Sequence, residues 1–563
     1  MESVERFVAE QLAAWEVPGC AVAVVRGGQV ELAGGWGLRD REAGLPVTQD
    51  TLFAIGSTTK AFTATTVGAL VDDGLLEWDR PLRDYVPGVR LHDPNVSDRV
   101  TIADLLSHRS GLPRHDLTWA GQPGRSRAEI VRSLRYLPLS RDLRQEFQYC
   151  NLGYLVAGHV VEALSGVPWE DFVRGKLLGP LGMARTNLSV EQMLADADHA
   201  AAYTRKNGLM VSVPQRPLPA VAPAGAINSS AADVARWLLA QLADGQLDGA
   251  TVVSPATVKR LRTPHTLLPE HQAMPGLTDY AYGLGWLIGW YRGHKIAMHD
   301  GGIDGFTANC VLLPDDGIGA VVLTNSSASL MHAVVACRVL DELLGAEPLD
   351  VFGYLKPRFD AAMAGADEAK SARRVVSGAP PARPLSAYAG EYEHPGYGTI
   401  SIALNGDELK PSLGTMDLSL AHRHYETFDL DWHEMGDQPM TFPLTFQSTP
   451  DGDISALTVQ FEPLVDPLRF DRRPDTISQE LLRRLCGTYA MGPVEVTVAL
   501  RSERTLTVAP PGSQPLDLEP ISGLRFAVKD RPAITAEFEL DADGTAARLI
   551  AQPLGIFHRK AAA

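Results

Sequence analysis

Apolar residues near the start of the chain recur at a spacing that predicts an amphipathic helix, and a β-hairpin follows it. The helical positions are Val4, Phe7, Val8, Leu12 and Trp15. They fall on one face at 3.6 residues per turn. Two short apolar runs, 21–25 and 30–33, then flank a Gly-Gly pair at 27–28. Paired apolar runs around such a turn predict two antiparallel strands.

Similar runs predict three more strands further along the chain, at 296–299, 306–313 and 318–325. Glycine-rich turns at 300–305 and 314–317 separate them, and a helical pattern at 329–344 follows. We therefore expect one antiparallel sheet built from both ends of this part of the chain. The mostly helical segment 60–241 would be inserted between them.

The last third of the chain is β-like in pattern and contains a weak internal repeat. Y-A-G-E-Y at 388–392 and L-C-G-T-Y at 485–489 each precede a set of short alternating strands. An Ala- and Pro-rich stretch before them is typical of a linker. We predict a first domain at 1–355, a linker at 356–384, and β-barrel modules at 385–476 and 477–563. One larger barrel is the alternative.

Composition and charge exclude several partners. The 563 residues carry a formal net charge of -17 at pH 7, whereas nucleic acid binding needs a basic surface. No apolar run approaches the ~18 residues that span a bilayer, so no membrane association is expected. The acidic N-terminal segment does not resemble a signal peptide, and the five cysteines are widely scattered. We expect a cytoplasmic protein with reduced thiols.

The strongest chemical signal is S-T-T-K at 57–60. The apolar pattern after Lys60 predicts a buried helix, which places Ser57 in its first turn and Lys60 on the same face. A lysine can take a serine proton when burial or nearby positive charge keeps its amine neutral. Because S-x-x-K also occurs by chance in many helices, the assignment depends on two further motifs.

The second motif is Y-C-N at 149–151, directly before an apolar helical run. The Tyr149 hydroxyl near a lysine can relay a proton to a leaving group. The Asn151 amide offers both a donor and an acceptor to a substrate backbone. Taken alone, a helix-capping asparagine beside a packed tyrosine explains these residues better.

The third motif is H-D-G-G at 299–302, where the strand 296–299 is predicted to end. Glycines there allow a ligand to approach main-chain N–H groups closely. An N–H near Gly301 or Gly302, with that of Ser57, would bind an oxyanion, and His299 would lie beside the substrate. The alternative is a hairpin turn with His299 exposed.

Together and in this order, the motifs resemble those of serine β-lactamases and penicillin-binding proteins. They are most similar to one branch of these proteins, in which the second motif is Y-x-N and the third is K-T-G or H-x-G. That branch includes class C β-lactamases, D-alanyl-D-alanine carboxypeptidases, D-aminopeptidases and β-lactamase-like esterases. Further matches are L-L-S-H-R-S-G-L-P, P-A-G-A-I-N-S-S-A-A-D-V-A-R-W and Y-G-L-G-W, at 105–113, 223–237 and 282–286.

The resemblance implies an α/β, β-lactamase-like transpeptidase fold, with an antiparallel sheet flanked by helices, an inserted helical subdomain and C-terminal lipocalin-like barrels. It also implies roles for five residues: Ser57 as nucleophile, Lys60 as general base, Tyr149 as proton relay, Asn151 as substrate ligand, and an oxyanion donor near Gly302.

Position 299 departs from the pattern of β-lactamases and carboxypeptidases, which have lysine there. Histidine is mostly neutral at pH 7, so a permanent charge for a substrate carboxylate is missing. H-x-G followed by two barrels is similar to D-aminopeptidases, in which the barrels shape or cover the cleft. We therefore expect hydrolysis of amide bonds in small peptides or amino acid amides, with a D-residue at the acyl position.

An esterase, or a penicillin-binding-protein-type thioesterase or peptide cyclase, is the alternative. A β-lactamase, a D-alanyl-D-alanine carboxypeptidase or a non-catalytic binding relative is less favoured. No H-E-x-x-H or paired-cysteine spacing indicates a metal, and no cofactor is expected. His108 is interpreted as structural. A small molecule or peptide is the expected partner, and a homodimer is the candidate assembly.

Overall fold

The protein is described by a computed structural model over residues 2–268, 274–371, 374–433, 440–450, 452–474, 477–502, 504–510 and 512–560. Its helices are α1 Glu2–Trp15, α2 Thr59–Asp72, α3 Pro94–Ser97, α4 Ile102–Leu106, α5 Arg127–Ser133, α6 Asn151–Ser165, α7 Trp169–Val173, α8 Val190–Ala195, α9 Ala222–Gly225, α10 Ala231–Leu242, α11 Pro255–Leu261, α12 Met331–Leu343, α13 Val351–Ser371 and α14 Gln479–Leu485.

The strands of the N-terminal part are β1 Gly19–Arg26, β2 Gln29–Asp40, β3 Leu45–Pro46, β4 Phe53–Ala54, β5 Tyr203–Lys206, β6 Leu209–Ser212, β7 Asn228–Ser229, β8 Gln246–Leu247, β9 Ala250–Thr251, β10 Thr266–Leu267, β11 Leu277–Tyr282, β12 Leu287–Tyr291, β13 His294–Ile303, β14 Phe306–Leu313 and β15 Ile318–Thr324. Nine of them form one antiparallel sheet in the order β10-β11-β12-β13-β14-β15-β1-β2-β3. The N-terminal hairpin pairs with β15, so the prediction of one sheet built from both ends is confirmed.

Both faces of this sheet are covered, which explains why β1 is apolar at every position before its last residue, Arg26. Val22 and Val24 face a cluster that includes residues of α1 and α12. Ala21 and Ala23 face the larger core, with residues of α2, α6 and α10. Alternate side chains of a strand point to opposite faces, so a strand between two helical layers needs apolar residues at every position.

The prediction that β13 ends at residue 299 and that a turn occupies 300–305 is wrong. The strand continues to Ile303 and pairs with β14 along its length, so only Asp304 and Gly305 turn the chain. Glycine is required at 301 for another reason, because an added Cβ would lie 1.9 Å from the carbonyl oxygen of Ile55. Gly301 therefore marks a close backbone contact within an extended strand and not a turn.

Two separate barrels follow, so the prediction of lipocalin-like modules is confirmed and the single larger barrel is wrong. The first comprises β16 Gly390–His394, β17 Gly398–Asn405, β18 Glu408–Ser412, β19 Leu418–His424, β20 Thr427–Trp432, β21 Met440–Ser448, β22 Ile454–Val459 and β23 Leu468–Arg472. Its end strands β18 and β19 contact each other.

The second barrel is closed and comprises β24 Gly487–Met491, β25 Val494–Ser502, β26 Thr505–Ala509, β27 Leu516–Ser522, β28 Arg525–Val528, β29 Arg531–Leu540, β30 Ala546–Gln552 and β31 Gly555–Arg559. The sequence repeat has a structural counterpart in the two barrels. Tyr392 and Tyr489 each donate to the carbonyl four residues earlier. Arg472 and Arg559, on the last strands, each donate to the carbonyls that precede the first strand.

The segment predicted as a linker, 356–384, is helical as far as Ser371, because α13 runs into it. Phe352 and Phe359 of α13 pack edge-on against Trp15 of α1. The domain boundaries themselves stay predictions. Across the described residues, no helix has the length and apolarity needed to cross a bilayer. The cytoplasmic location and the homodimer remain predictions.

Candidate active site

Ser57 lies in a short 3-10 turn, Gly56–Thr58, that leads directly into α2. Gly56 has a φ of +50°, and an added Cβ would lie 2.8 Å from the nitrogen of Gly302 on β13. The first twelve residues of α2 are buried, whereas Ser57 is partly exposed. The fold therefore presents one hydroxyl at the surface of an otherwise buried element.

Lys60 is fully buried, and its Nζ lies 2.9 Å from each of three oxygens: Ser57 Oγ, Asn151 Oδ1 and the carbonyl of Ala224. Burial, together with the nearby guanidinium of Arg114, holds the pKa of Lys60 well below its usual range. A neutral amine has two N–H bonds and one lone pair. Because a carbonyl and an amide oxygen only accept, both N–H bonds point to them and the lone pair faces the Ser57 hydroxyl.

Tyr149 and Asn151 reach the same place from the start of α6. The Tyr149 hydroxyl is hydrogen-bonded to Ser57, and burial raises the pKa of this phenol, so it stays protonated. The Lys60 amine lies 4.8 Å from the centre of the Tyr149 ring. The structure thus brings together the four side chains predicted from S-T-T-K and Y-C-N.

Sequence reasoning missed an ion pair beside them, between Arg114 and Asp116. Arg114 Nε donates to Asp116 Oδ2 over 2.7 Å, and Asn151 Nδ2 donates to Oδ1 over 3.1 Å. Asp116 therefore orients the amide of Asn151 so that its oxygen faces Lys60. The only sequence signal was the adjacency of P-R-H-D, 113–116, to the quoted motif ending at Pro113.

His299 is 5% exposed, and the structure gives both of its ring nitrogens a protein partner. Nδ1 donates to the carbonyl of Asp300 over 2.6 Å, so Nε2 accepts from the Tyr282 hydroxyl over 2.7 Å. Burial lowers the pKa of His299 to about 3. The imidazole is neutral at pH 7, and the alternative of an exposed histidine in a turn is wrong.

Gly301 and Gly302 lie against the segment that precedes Ser57. An added Cβ on Gly301 would contact the Ile55 carbonyl oxygen, as described above, and would also lie 3.1 Å from Thr58 Oγ1. Thr58 Oγ1 in turn donates to the carbonyl of His299 over 3.3 Å. The main chain of β13 is therefore held next to the turn that carries Ser57.

A cavity of about 170 Å³ lies close to this centre, although Ser57, Lys60, Tyr149 and Asn151 do not line it. It is bordered by Gly225, next to the Ala224 carbonyl that binds Lys60, and by Ile303, next to Gly302. Its walls combine apolar side chains with charged ones. The apolar ones include Leu188, Val190, Leu218 and Phe306, and the charged ones are Glu170, Arg174, Glu191 and the Arg216–Asp304 ion pair. A space of this size is suited to one apolar side chain of a ligand.

His108 lies behind Tyr149, with ring centres 4.4 Å apart, and its Nδ1 accepts from the N–H of Cys150 over 3.1 Å. These contacts agree with a structural role at the start of α6. Within the described ranges, no group of three or more His, Cys, Asp or Glu side chains is arranged to hold a metal ion.

Comparison with known proteins gives two family matches. A family described as Beta-lactamase matches residues 4–343, and one described as a domain of unknown function, DUF3471, matches residues 375–472. The first covers the central sheet with its helices. The second covers the first barrel.

Among named relatives, unguisins hydrolase ungD' of Aspergillus campestris is 34% identical over 486 residues, 81% of this chain and 88% of that protein. Penicillin-binding protein 4 of Amycolatopsis lactamdurans is 32% identical over 350 residues, 60% of this chain and 88% of that protein. An octameric penicillin-binding protein homologue from Pyrococcus abyssi superposes with a TM-score of 0.56 at 24% identity, over 83% of this chain and 99% of that one. This last likeness concerns the fold alone.

Proposed function

The chain belongs to the beta-lactamase family of serine hydrolases, and we propose that it cleaves amide bonds of small peptides or amino acid amides through an acyl-enzyme on Ser57. The observation that carries this proposal is the hydroxyl of Ser57 at 2.9 Å from the buried amine of Lys60. The other two acceptors of that amine leave its lone pair for the serine proton.

In the acylation step, Lys60 accepts the proton of Ser57 while Oγ attacks the substrate carbonyl carbon. The carbonyl π electrons move to its oxygen, and the resulting oxyanion binds the main-chain N–H groups of Ser57 and of β13 near Gly302. The proton passes from Lys60 through the Tyr149 hydroxyl to the leaving nitrogen. The C–N bond then breaks, which leaves an ester on Ser57 and a free amine.

In the deacylation step, water replaces the departed amine. It gives a proton to the Tyr149–Lys60 pair as its oxygen attacks the ester carbonyl, and the proton returns to Ser57 as the C–O bond breaks. The products are a carboxylic acid and the starting enzyme. The second N–H of Asn151 Nδ2 is the donor proposed for the substrate backbone.

The substrate class is inferred from charge and shape. His299 is neutral and Arg114 is paired with Asp116, so recognition of a substrate carboxylate, as in β-lactamases and carboxypeptidases, is disfavoured. The cavity beside Gly225 fits one apolar side chain at the acyl residue. Two relatives named unguisins hydrolases, at 34% and 32% identity, support hydrolysis as the reaction type.

The proposed nucleophile is tested by intact mass measurement after reaction with a fluorophosphonate probe. One adduct is expected on the wild-type chain and none on Ser57→Ala. An adduct that persists on Ser57→Ala would remove Ser57 from this role.

The substrate class is tested with matched D- and L-amino acid amides, with nitrocefin as the β-lactam. The D-amides are expected to turn over fastest and nitrocefin slowest. Equal rates for both enantiomers would contradict the D-preference, and rapid nitrocefin hydrolysis would contradict the substrate class.

An esterase or acyl-transfer activity is the second candidate. The absence of a free cation among the described side chains that border Ser57 suits an uncharged ester as well as an amide. Burst kinetics on p-nitrophenyl esters, with negligible hydrolysis of D-amino acid p-nitroanilides, would favour this candidate over the amidase.

A further inference from the structure

The first barrel contacts the N-terminal part of the chain at the loop 114–125, which also carries Asp116. We propose that this barrel positions the active site, because Glu462 and Tyr397 hold His115 and thereby fix Asp116 against Asn151. The proposal rests on the acyl-enzyme chemistry of Ser57 described above. It assigns the barrel residues a positioning role and no contact with substrate.

Three hydrogen bonds hold His115, one at its main-chain N–H and one at each ring nitrogen. Its main-chain N–H donates to Glu462 Oε2 over 3.0 Å, and its Nε2 donates to the carbonyl of Pro138 over 2.9 Å. Nδ1 must then accept, and it lies 2.6 Å from the hydroxyl of Tyr397. Burial lowers the pKa of His115 and raises that of Tyr397, so a neutral imidazole and a protonated phenol complete this set of bonds.

The backbone at His115 also needs this support. Its φ of 45° and ψ of 36° place it in the left-handed region, which is unfavourable for a residue other than glycine. Asp116 follows directly and begins a 3-10 turn. The left-handed residue therefore sets the direction in which the Asp116 carboxylate points.

Three successive hydrogen bonds connect Asp116 to the nucleophile, Ser57. Asn151 donates to Asp116 over 3.1 Å, Lys60 donates to Asn151 over 2.9 Å, and Lys60 lies 2.9 Å from Ser57. The path from Glu462 to Lys60 runs through His115, Asp116 and Asn151, and a hydrogen bond fixes the orientation of each of these residues. A shift of the loop at His115 therefore reaches Lys60 through Asn151.

The outer part of the same loop is bound to the barrel as well. Gln122 Nε2 donates to the carbonyl of Tyr397 over 3.1 Å, and Arg125 donates to that of Gly396 over 3.0 Å. The N–H of Thr415 donates to the carbonyl of Gly121 over 2.7 Å. Gly121, Gln122 and Arg125 thus bind the first barrel in addition to His115.

The test uses Tyr397→Phe in the full-length chain, with Glu462→Gln as a second variant. Phenylalanine keeps the ring but removes the donor to His115, and glutamine offers one carbonyl oxygen where Glu462 accepts from the N–H groups of His115 and Leu464. We expect kcat to fall about 10-fold in each, with KM changed less than 2-fold. The acid limb of the kcat/KM profile should move to higher pH. A displaced loop takes both Arg114 and Asp116 away from Lys60, and Arg114, which lowers the pKa of Lys60, has the larger effect of the two.

Tyr392→Phe is the matched control, since it removes a buried phenol bond within the first barrel without touching the loop. It should retain wild-type kcat and the wild-type acid limb. The proposal is overturned if Tyr397→Phe and Glu462→Gln keep both, or if Tyr392→Phe moves them equally. Labelling of Ser57 by the fluorophosphonate probe in the wild type separates failure of this proposal from failure of the proposed function.

Discussion

The amine of Lys60 has three oxygen neighbours, and of these only Ser57 Oγ carries a proton that it can give up. Replacing Lys60 with alanine removes the acceptor for that proton and leaves Asn151 Oδ1 and the Ala224 carbonyl without their donor. We expect kcat/KM to fall about 10⁴-fold or more. Initial rates with the best amide or ester substrate measure this loss in kcat/KM.

Lys176→Ala is the control for Lys60→Ala, because Lys176 forms an exposed pair with Asp73, which lies at the opposite end of α2 from Ser57. A surface pair of this kind contributes little, so its rate should equal that of the wild type. Full activity in Lys60→Ala would rule out Lys60 as the base.

The charge of Arg114 controls the pH range in which Lys60 is neutral. After burial, the Arg114 guanidinium contributes most to the lowered pKa of Lys60, and Asp116 opposes it. Lys60 accepts a proton only when neutral, so kcat/KM falls as the pH drops through its pKa. Arg114→Gln removes a nearby positive charge, which raises that pKa and moves the acid limb of the profile to higher pH.

The pH–rate profile of Arg114→Gln is compared with that of Arg135→Gln, which changes an exposed arginine. The Arg135→Gln profile should match the wild type. A limb that stays in place in Arg114→Gln, or moves to lower pH, contradicts the electrostatic assignment.

At this scale the sequence predicted Ser57 and Lys60 from their spacing on one helix face, whereas Tyr149 and Asn151 became candidates only through the family resemblance that the three motifs carry together. It did not identify Arg114 and Asp116, since their position depends on the left-handed residue His115 and on Glu462 in another module. Their contacts are distant in sequence and carry no periodic pattern.

At the scale of elements, β13 and the turn before α2 are packed too closely for any side chain at 301. A Cβ on Gly301 would lie 1.9 Å from the Ile55 carbonyl oxygen, a backbone atom that cannot rotate away. Gly301→Ala should therefore displace the Ser57 turn. We expect a loss of about 3 kcal/mol in the free energy of unfolding, with a large loss of activity, measured by denaturant titration and initial rates.

Gly175→Ala serves as the comparison, because an added Cβ there meets no atom within 4 Å. Its stability should change by less than 1 kcal/mol. Wild-type stability and activity in Gly301→Ala would mean that the contact between β13 and the turn is looser than described.

Element types were predictable where the helical periodicity was strong, as in α1, and where turns bounded a continuous apolar run, as in β1 and β14. The length of β13 was not, because glycines give the same sequence signal at a turn and at a close backbone contact. The helix α13 was not predicted either. Its Ala-rich sequence suits a helix as well as a linker, and the packing of Phe352 and Phe359 on Trp15 decides between them.

At the scale of the whole molecule, the two barrels relate differently to the rest of the chain. Apolar residues of the first barrel, such as Tyr397 and Phe470, belong to the same continuous core as α2 and α6. The second barrel has a core of its own, which includes Phe526 and Phe538. Arg525 forms an ion pair with Asp453 of the first barrel.

This difference predicts that the same substitution affects the active-site loop when it is made in the first barrel but not when it is made in the second. Phe470→Ala and Phe538→Ala each remove a buried ring, which typically costs about 3–5 kcal/mol of local stability. Phe470 packs against His394 and Phe461, next to Tyr397. Its loss should therefore weaken amide-exchange protection in the loop 114–125 and lower activity, because the ring supports the barrel face that binds His115.

Phe538→Ala should instead increase exchange only within residues 487–559 and leave the rate of Ser57 acylation unchanged, because its neighbours Tyr489 and Phe526 are confined to the second core. Hydrogen exchange by mass spectrometry on both full-length variants, with acylation rates from the fluorophosphonate probe, distinguishes the two responses. Phe538→Ala could instead lower exchange protection in the loop 114–125 as much as Phe470→Ala does. That result would contradict the prediction, because the second barrel would then also support the active site despite its separate core.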